Sequence, residues 1–109
     1  MSKLKYAWWP YVRNVIRWQE MRKRRAKLSK REKLEIEIVK NAIRDTLQLP
    51  DGEERYELMK KVYWARNRVT LQRAAADLLI SYATARRWQH DLYLVVAEKM
   101  GLYDPKEDA

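Results

Sequence analysis

The chain has 109 residues, with 24 Lys and Arg against 15 Asp and Glu, a formal net charge of +9 and no Cys. That length holds one modest core but not two independent ones, and the lack of Cys excludes disulfides and thiolate metal sites and suits a reducing cytoplasm. No apolar run approaches the roughly 18 residues of a membrane span, and Lys3 and Lys5 lead into Trp8-Trp9-Pro10 rather than into a smooth apolar leader.

Two Gly and three Pro in a chain rich in charged residues predict an all-α fold with short connections. The expected organisation is a basic N-terminal helical pair over residues 1–49, a helix-turn-helix module over 53–103 and a disordered acidic tail over 104–109. The first helix is expected over 8–25, with Pro10 accommodated in its first turn. Val12, Val15 and Ile16 give it an apolar face that Trp8, Trp9, Tyr11 and Trp18 extend. Aromatics interleaved with arginine can also stack on unpaired bases, but in a small protein they are more often core. The second helix opens on Ser29-Lys30-Arg31-Glu32, a capping box in which the Ser and Glu side chains satisfy each other's free backbone N–H groups. Its inward positions are expected at Ile36, Val39, Ile43 and Leu47, spaced by three and four.

Charge is unevenly spread. Residues 1–33 hold twelve Lys and Arg against only Glu20 and Glu32, whereas 34–69 balance and 70–103 are nearly neutral. The dense block Arg22, Lys23, Arg24, Arg25, Lys27, Lys30 and Arg31 is therefore the expected phosphate-contacting feature, since binding to a polyanion draws on released counterions. Gln48-Leu49-Pro50-Asp51-Gly52 supplies turn chemistry and separates this half from the next. A third helix follows from Glu53 to about Arg66, with Leu58, Val62 and Tyr63 on one side and Met59 and Trp64 flanking. Arg66-Asn67-Arg68 reads as a polar connection.

Thr70 to Gly101 has the plan of a helix-turn-helix: a short helix, a tight turn and a long second helix. Leu71, Ala74, Ala75 and Leu78 fall on one face of the first. Leu79 and Ile80 form the turn, Ser81 is a natural N-cap, and Ala85, Trp88, Leu92 and Val95 give the second helix (82–100) its inward stripe. The opposite stripe carries Tyr82, Ala83, Arg86, Arg87 and His90, side chains of the kinds that reach base edges and phosphates in a major groove. With Ser81 they form the expected DNA-binding set. Leu79 stands where a residue at positive φ, commonly Gly, is expected. No nucleophile–base pair, carboxylate cluster or metal-ligand spacing is present, so neither an enzyme, nor a metal, nor a cofactor is expected.

Leu71-x-x-Ala74-Ala75, Ile80-Ser81, Thr84-Ala85-x-Arg87-Trp88 and Val96-Ala97-Glu98-x-x-Gly101-Leu102 resemble the C-terminal module of ArpU/RinA-type transcriptional regulators of phages and prophages of Gram-positive bacteria. That module in turn resembles region four of sigma factors. The opening Trp8-Trp9-x-Tyr11-Val12-Arg13 is similar, more loosely, to the start of small members of the group. The resemblance implies a transcriptional regulator in the cytoplasm of a bacterial host, associated with the nucleoid, whose partner is double-stranded DNA and whose further partners include RNA polymerase or a second copy of itself. The alternative is the small DNA-recognition, terminase-like subunit of a phage packaging machine. Packaging subunits carry the motif ahead of an oligomerisation part; here it comes last, which favours the regulator.

Overall fold

The computed structural model of the chain describes residues 6–106. The leader residues before Tyr6 and the last three residues of the expected acidic tail lie outside that range. Among the described residues the fold is all-α: α1 (Trp9–Arg17), α2 (Gln19–Lys23), α3 (Lys30–Leu47), α4 (Gly52–Met59) running into a π turn (Lys60–Trp64), α5 (Leu71–Asp77) and α6 (Tyr82–Lys99). None of these helices is long and apolar enough to cross a membrane.

The single helix expected over 8–25 is two helices bent at Trp18, and it stops at Lys23. The bend turns Gln19 inward, where its Nε2 donates to the Ile36 carbonyl of α3 at 3.1 Å. It also turns Trp18 outward to 39% exposure, so Trp18 does not extend the core. α3 begins on the expected capping box: the Glu32 N–H donates to Ser29 Oγ, and the Ser29 N–H to Glu32 Oε1. Its buried positions are Glu35, Val39 and Ala42. Ile43 is half-buried, and Leu47, expected inside, is 40% exposed. The face is rotated because α1 and α2 cover one side of α3 while α4 and α6 cover another.

Gly52 begins α4 for a steric reason rather than a turn conformation. A Cβ there would lie 2.4 Å from the Thr46 carbonyl oxygen and 2.7 Å from Leu47 Cα. Only Gly lets the two helices meet this closely. The expected third helix does not stay α-helical to Arg66. The Ala65 N–H donates to the Lys60 carbonyl at 2.7 Å, the five-residue reach of a π turn, and regular structure ends at Trp64. This turn buries Tyr63 and directs the Trp64 indole N–H to the Ile16 carbonyl, 2.8 Å away.

α6 is the central element, packed on α1, α3, α4 and α5. It buries Ala85, Trp88, Leu92, Tyr93, Val96 and Ala97. Those residues join Val12, Ile16, Val39 and Leu58 in one core, so the regions 1–49 and 53–103 share it. Tyr103, the last residue before the expected acidic tail, is packed edge-on against Tyr6 with ring centroids 5.6 Å apart.

Candidate nucleic-acid interface

The helix-turn-helix is built by local hydrogen bonding. Thr70 caps α5 by accepting from the Arg73 N–H at 3.1 Å. Ala74 and Ala75, fully buried, let α5 approach α6 closely. At the far end of α5 the Leu79 N–H donates to the Ala76 carbonyl at 3.1 Å and the Ile80 N–H to the Ala75 carbonyl at 3.0 Å. This pair of bonds is a Schellman motif, which needs a left-handed residue at its centre. Leu79 takes that role with φ 58°, as its place in the turn predicts, and its side chain is 93% exposed. Ser81 then caps α6, accepting from the Thr84 N–H at 3.0 Å and donating to Thr84 Oγ1 at 2.8 Å. Its hydroxyl is thereby engaged in holding the helix start.

α6 is 18 residues long, and its first half has a buried face, Ala85 and Trp88, and an open one. Tyr82, Ala83, Arg86, Arg87 and His90, all in its N-terminal half, are exposed, while Tyr93, Val96 and Ala97 further on are buried. Tyr82, Arg86 and His90 are spaced by four, so they lie on one stripe; Ala83 and Arg87 form the next. The Arg86 guanidinium lies over the Tyr82 ring, 5.8 Å from its centroid, and this contact limits its freedom before any ligand arrives. His90 ends the stripe with its ring 5.1 Å from that of Trp9 in α1. Arg87 has no ion-pair partner among the described residues.

The basic block is less free than its net charge suggests. The Arg22 guanidinium bonds to Glu35 and lies 3.7 Å from Glu32. Arg25 pairs with Glu32 at 2.8 Å, Arg31 with Glu35 at 3.4 Å, and Lys23 with Glu20 at 3.6 Å. Glu35 is 5% exposed and also accepts from the Tyr11 hydroxyl, to which Arg31 donates at 3.2 Å. Burial, and then the Glu35 carboxylate, push the Tyr11 hydroxyl pKa up. The Ser29 backbone N–H, helped by Arg25 and Arg22, holds the Glu32 carboxyl below its ordinary range. Of the seven expected phosphate contacts, Arg24, Lys27 and Lys30 alone lack a carboxylate at ion-pair distance among the described residues. Charge counting missed the sink at Glu35. Its position on the same stripe of α3 as Val39 and Ala42, four residues after Arg31, was the signal that pointed inward.

Among the described residues no group of three or more His, Asp or Glu is placed to hold a metal ion. Comparison with family models, with curated proteins and with solved structures finds no match to this chain.

Proposed function

We propose that this protein is a sequence-specific duplex-DNA-binding regulator of transcription, of phage or prophage type, which reads the major groove with the N-terminal half of α6. One observation carries the reading. A helix held in the core along its length by Ala85, Trp88, Leu92, Tyr93, Val96 and Ala97 presents Tyr82, Ala83, Arg86, Arg87 and His90 on the open face of its N-terminal half, directly after a tight turn. A recognition helix places its N-terminal residues against base edges in this way. The resemblance of Glu54 to Leu102 to the ArpU/RinA-type module agrees with it, as does the overall charge of +9.

Selection of bound sites from a random duplex pool tests the proposal, and a single enriched sequence is expected. On that sequence Arg86→Ala should weaken binding by about 1–3 kcal/mol and relax preference at one position, the signature of a guanidinium on a base edge. Arg86 is the better candidate for base contact because Tyr82 pre-positions it. Arg87→Ala should weaken specific and random duplex alike. Equal losses on both duplexes for both variants would remove direct readout from α6.

A further inference from the structure

A second basic feature shares no residue with the reading face. The bend at Trp18 and the end of the π turn form the two walls of an open cleft of about 940 Å³. Arg17, Trp18 and Arg24 come from one wall, and Trp64, Arg66 and Arg68 from the other. The indole N–H of Trp64, bonded to the Ile16 carbonyl at 2.8 Å, fixes the two walls relative to each other. None of the four arginines has a carboxylate at ion-pair distance among the described residues. The one carboxylate lining the cleft, Glu20, already faces Lys23 at 3.6 Å. The cleft thus concentrates unneutralised positive charge around an indole that is 39% exposed.

Arginines alone would suit any polyanion; the indole narrows the choice. In a duplex the faces of the bases are stacked on one another, so an exposed Trp finds nothing there to stack on. An unpaired strand offers a base face and a phosphate at every nucleotide, and a charged groove with an aromatic platform is how proteins hold one. Arg22, over the Trp18 ring at 5.2 Å, steadies that platform from outside the cleft. We propose that this cleft binds an unpaired nucleic-acid strand, with a base stacked on Trp18 and phosphates on Arg17, Arg24, Arg66 and Arg68. The site is separate from the exposed face of α6 and does not depend on it.

The test uses the full chain with two end-labelled probes, oligo(dT) and oligo(rU), each about 12 nucleotides long, followed by fluorescence anisotropy. Wild type is expected to bind at least one of them, and the tighter of the two identifies the sugar preferred. Trp18→Ala should weaken that binding roughly five- to hundred-fold, and Trp18→Phe should restore most of it. The double change Arg66→Gln, Arg68→Gln should flatten log K against log salt by about 1.4, near 0.7 for each lost contact to a single strand. All three side chains are at the surface, and unchanged thermal melts will verify that the variants fold. Binding of the selected duplex should be unaffected by Trp18→Ala. Failure of both probes to bind at low salt, or an unchanged affinity in Trp18→Ala, overturns the cleft. If site-specific duplex binding persists in that case, the regulator reading survives alone. Strand binding with no duplex preference would do the reverse.

Discussion

Two residues occupy the same backbone position in this fold, and one of them is the less suited to it. Gly101 and Leu79 each follow a helix, each close it with the same pair of hydrogen bonds, and each have positive φ, 77° and 58°. Gly accepts that conformation without penalty, whereas a side chain brings its Cβ against the neighbouring carbonyl at a cost of roughly 1–2 kcal/mol. Burial does not offset the cost, because Leu79 is almost wholly in solvent. Leu79→Gly should therefore stabilise the protein. Allowing for the freedom that Gly adds to the unfolded chain, the net gain is up to about 1 kcal/mol, or roughly 4–8 °C in Tm. A calorimetric melt checks it, and a lower Tm would mean that the Leu side chain makes a stabilising contact. Duplex affinity should not change. A raised Tm with weakened binding would place the Leu79 side chain in the DNA interface.

At the scale of elements, α6 is tied to the π turn by polar bonds inside an apolar core. Tyr93 on α6 and Tyr63 on the turn share a hydroxyl–hydroxyl bond, and Gln89 Nε2 donates to the Tyr63 hydroxyl at 2.7 Å. Burial pushes both phenol pKa values above the ordinary 10.0. The folded state therefore holds these protons more tightly than the unfolded chain. The resulting stability is complete below the ordinary tyrosine value and is lost as pH rises through the raised folded values. Urea midpoints measured from about pH 8 to about pH 11 should fall, and should fall less in Tyr93→Phe, which also controls for titrating lysines. Parallel curves would remove the pair as the cause. The Ser29 and Ser81 caps and the positive-φ turn at Leu79 were legible in the sequence because each is decided within about five residues. The bend at Trp18, the rotated face of α3 and the π turn were not. They answer to partners far along the chain: Glu35 to Arg22 and Tyr11, 13 and 24 residues away, and Trp64 to Ile16, 48 away. The same distance in sequence hid the cleft, since Arg66-Asn67-Arg68 shows nothing of Trp18.

For the whole molecule, what matters is which charges remain available to a ligand. The chain carries +9, yet much of its N-terminal block holds α3 to α1 and α2 through Glu32 and Glu35. Structural and ligand-facing charge should separate experimentally. Arg22→Gln leaves Glu35 buried with only Tyr11 and Arg31 as partners. It should cost on the order of 3 kcal/mol, the low end for breaking a buried ion pair because those two partners remain. Its effect on the salt dependence of duplex binding should be small. Lys27 and Lys30 are exposed and unpaired among the described residues, so on the reading of this protein as a DNA-binding regulator they are the ones to meet phosphate. The double change Lys27→Gln, Lys30→Gln should leave Tm near wild type and flatten log K against log salt by about 1.8, near 0.9 for each phosphate lost on a duplex. Affinity for selected and random duplex should fall by similar factors, since phosphate contacts carry no sequence information. An unchanged slope in the lysine pair would mean that this surface meets something other than DNA, an acidic protein face being the chemical alternative. A flattened slope in Arg22→Gln at full stability would mean instead that its bond to Glu35 yields to phosphate when DNA binds.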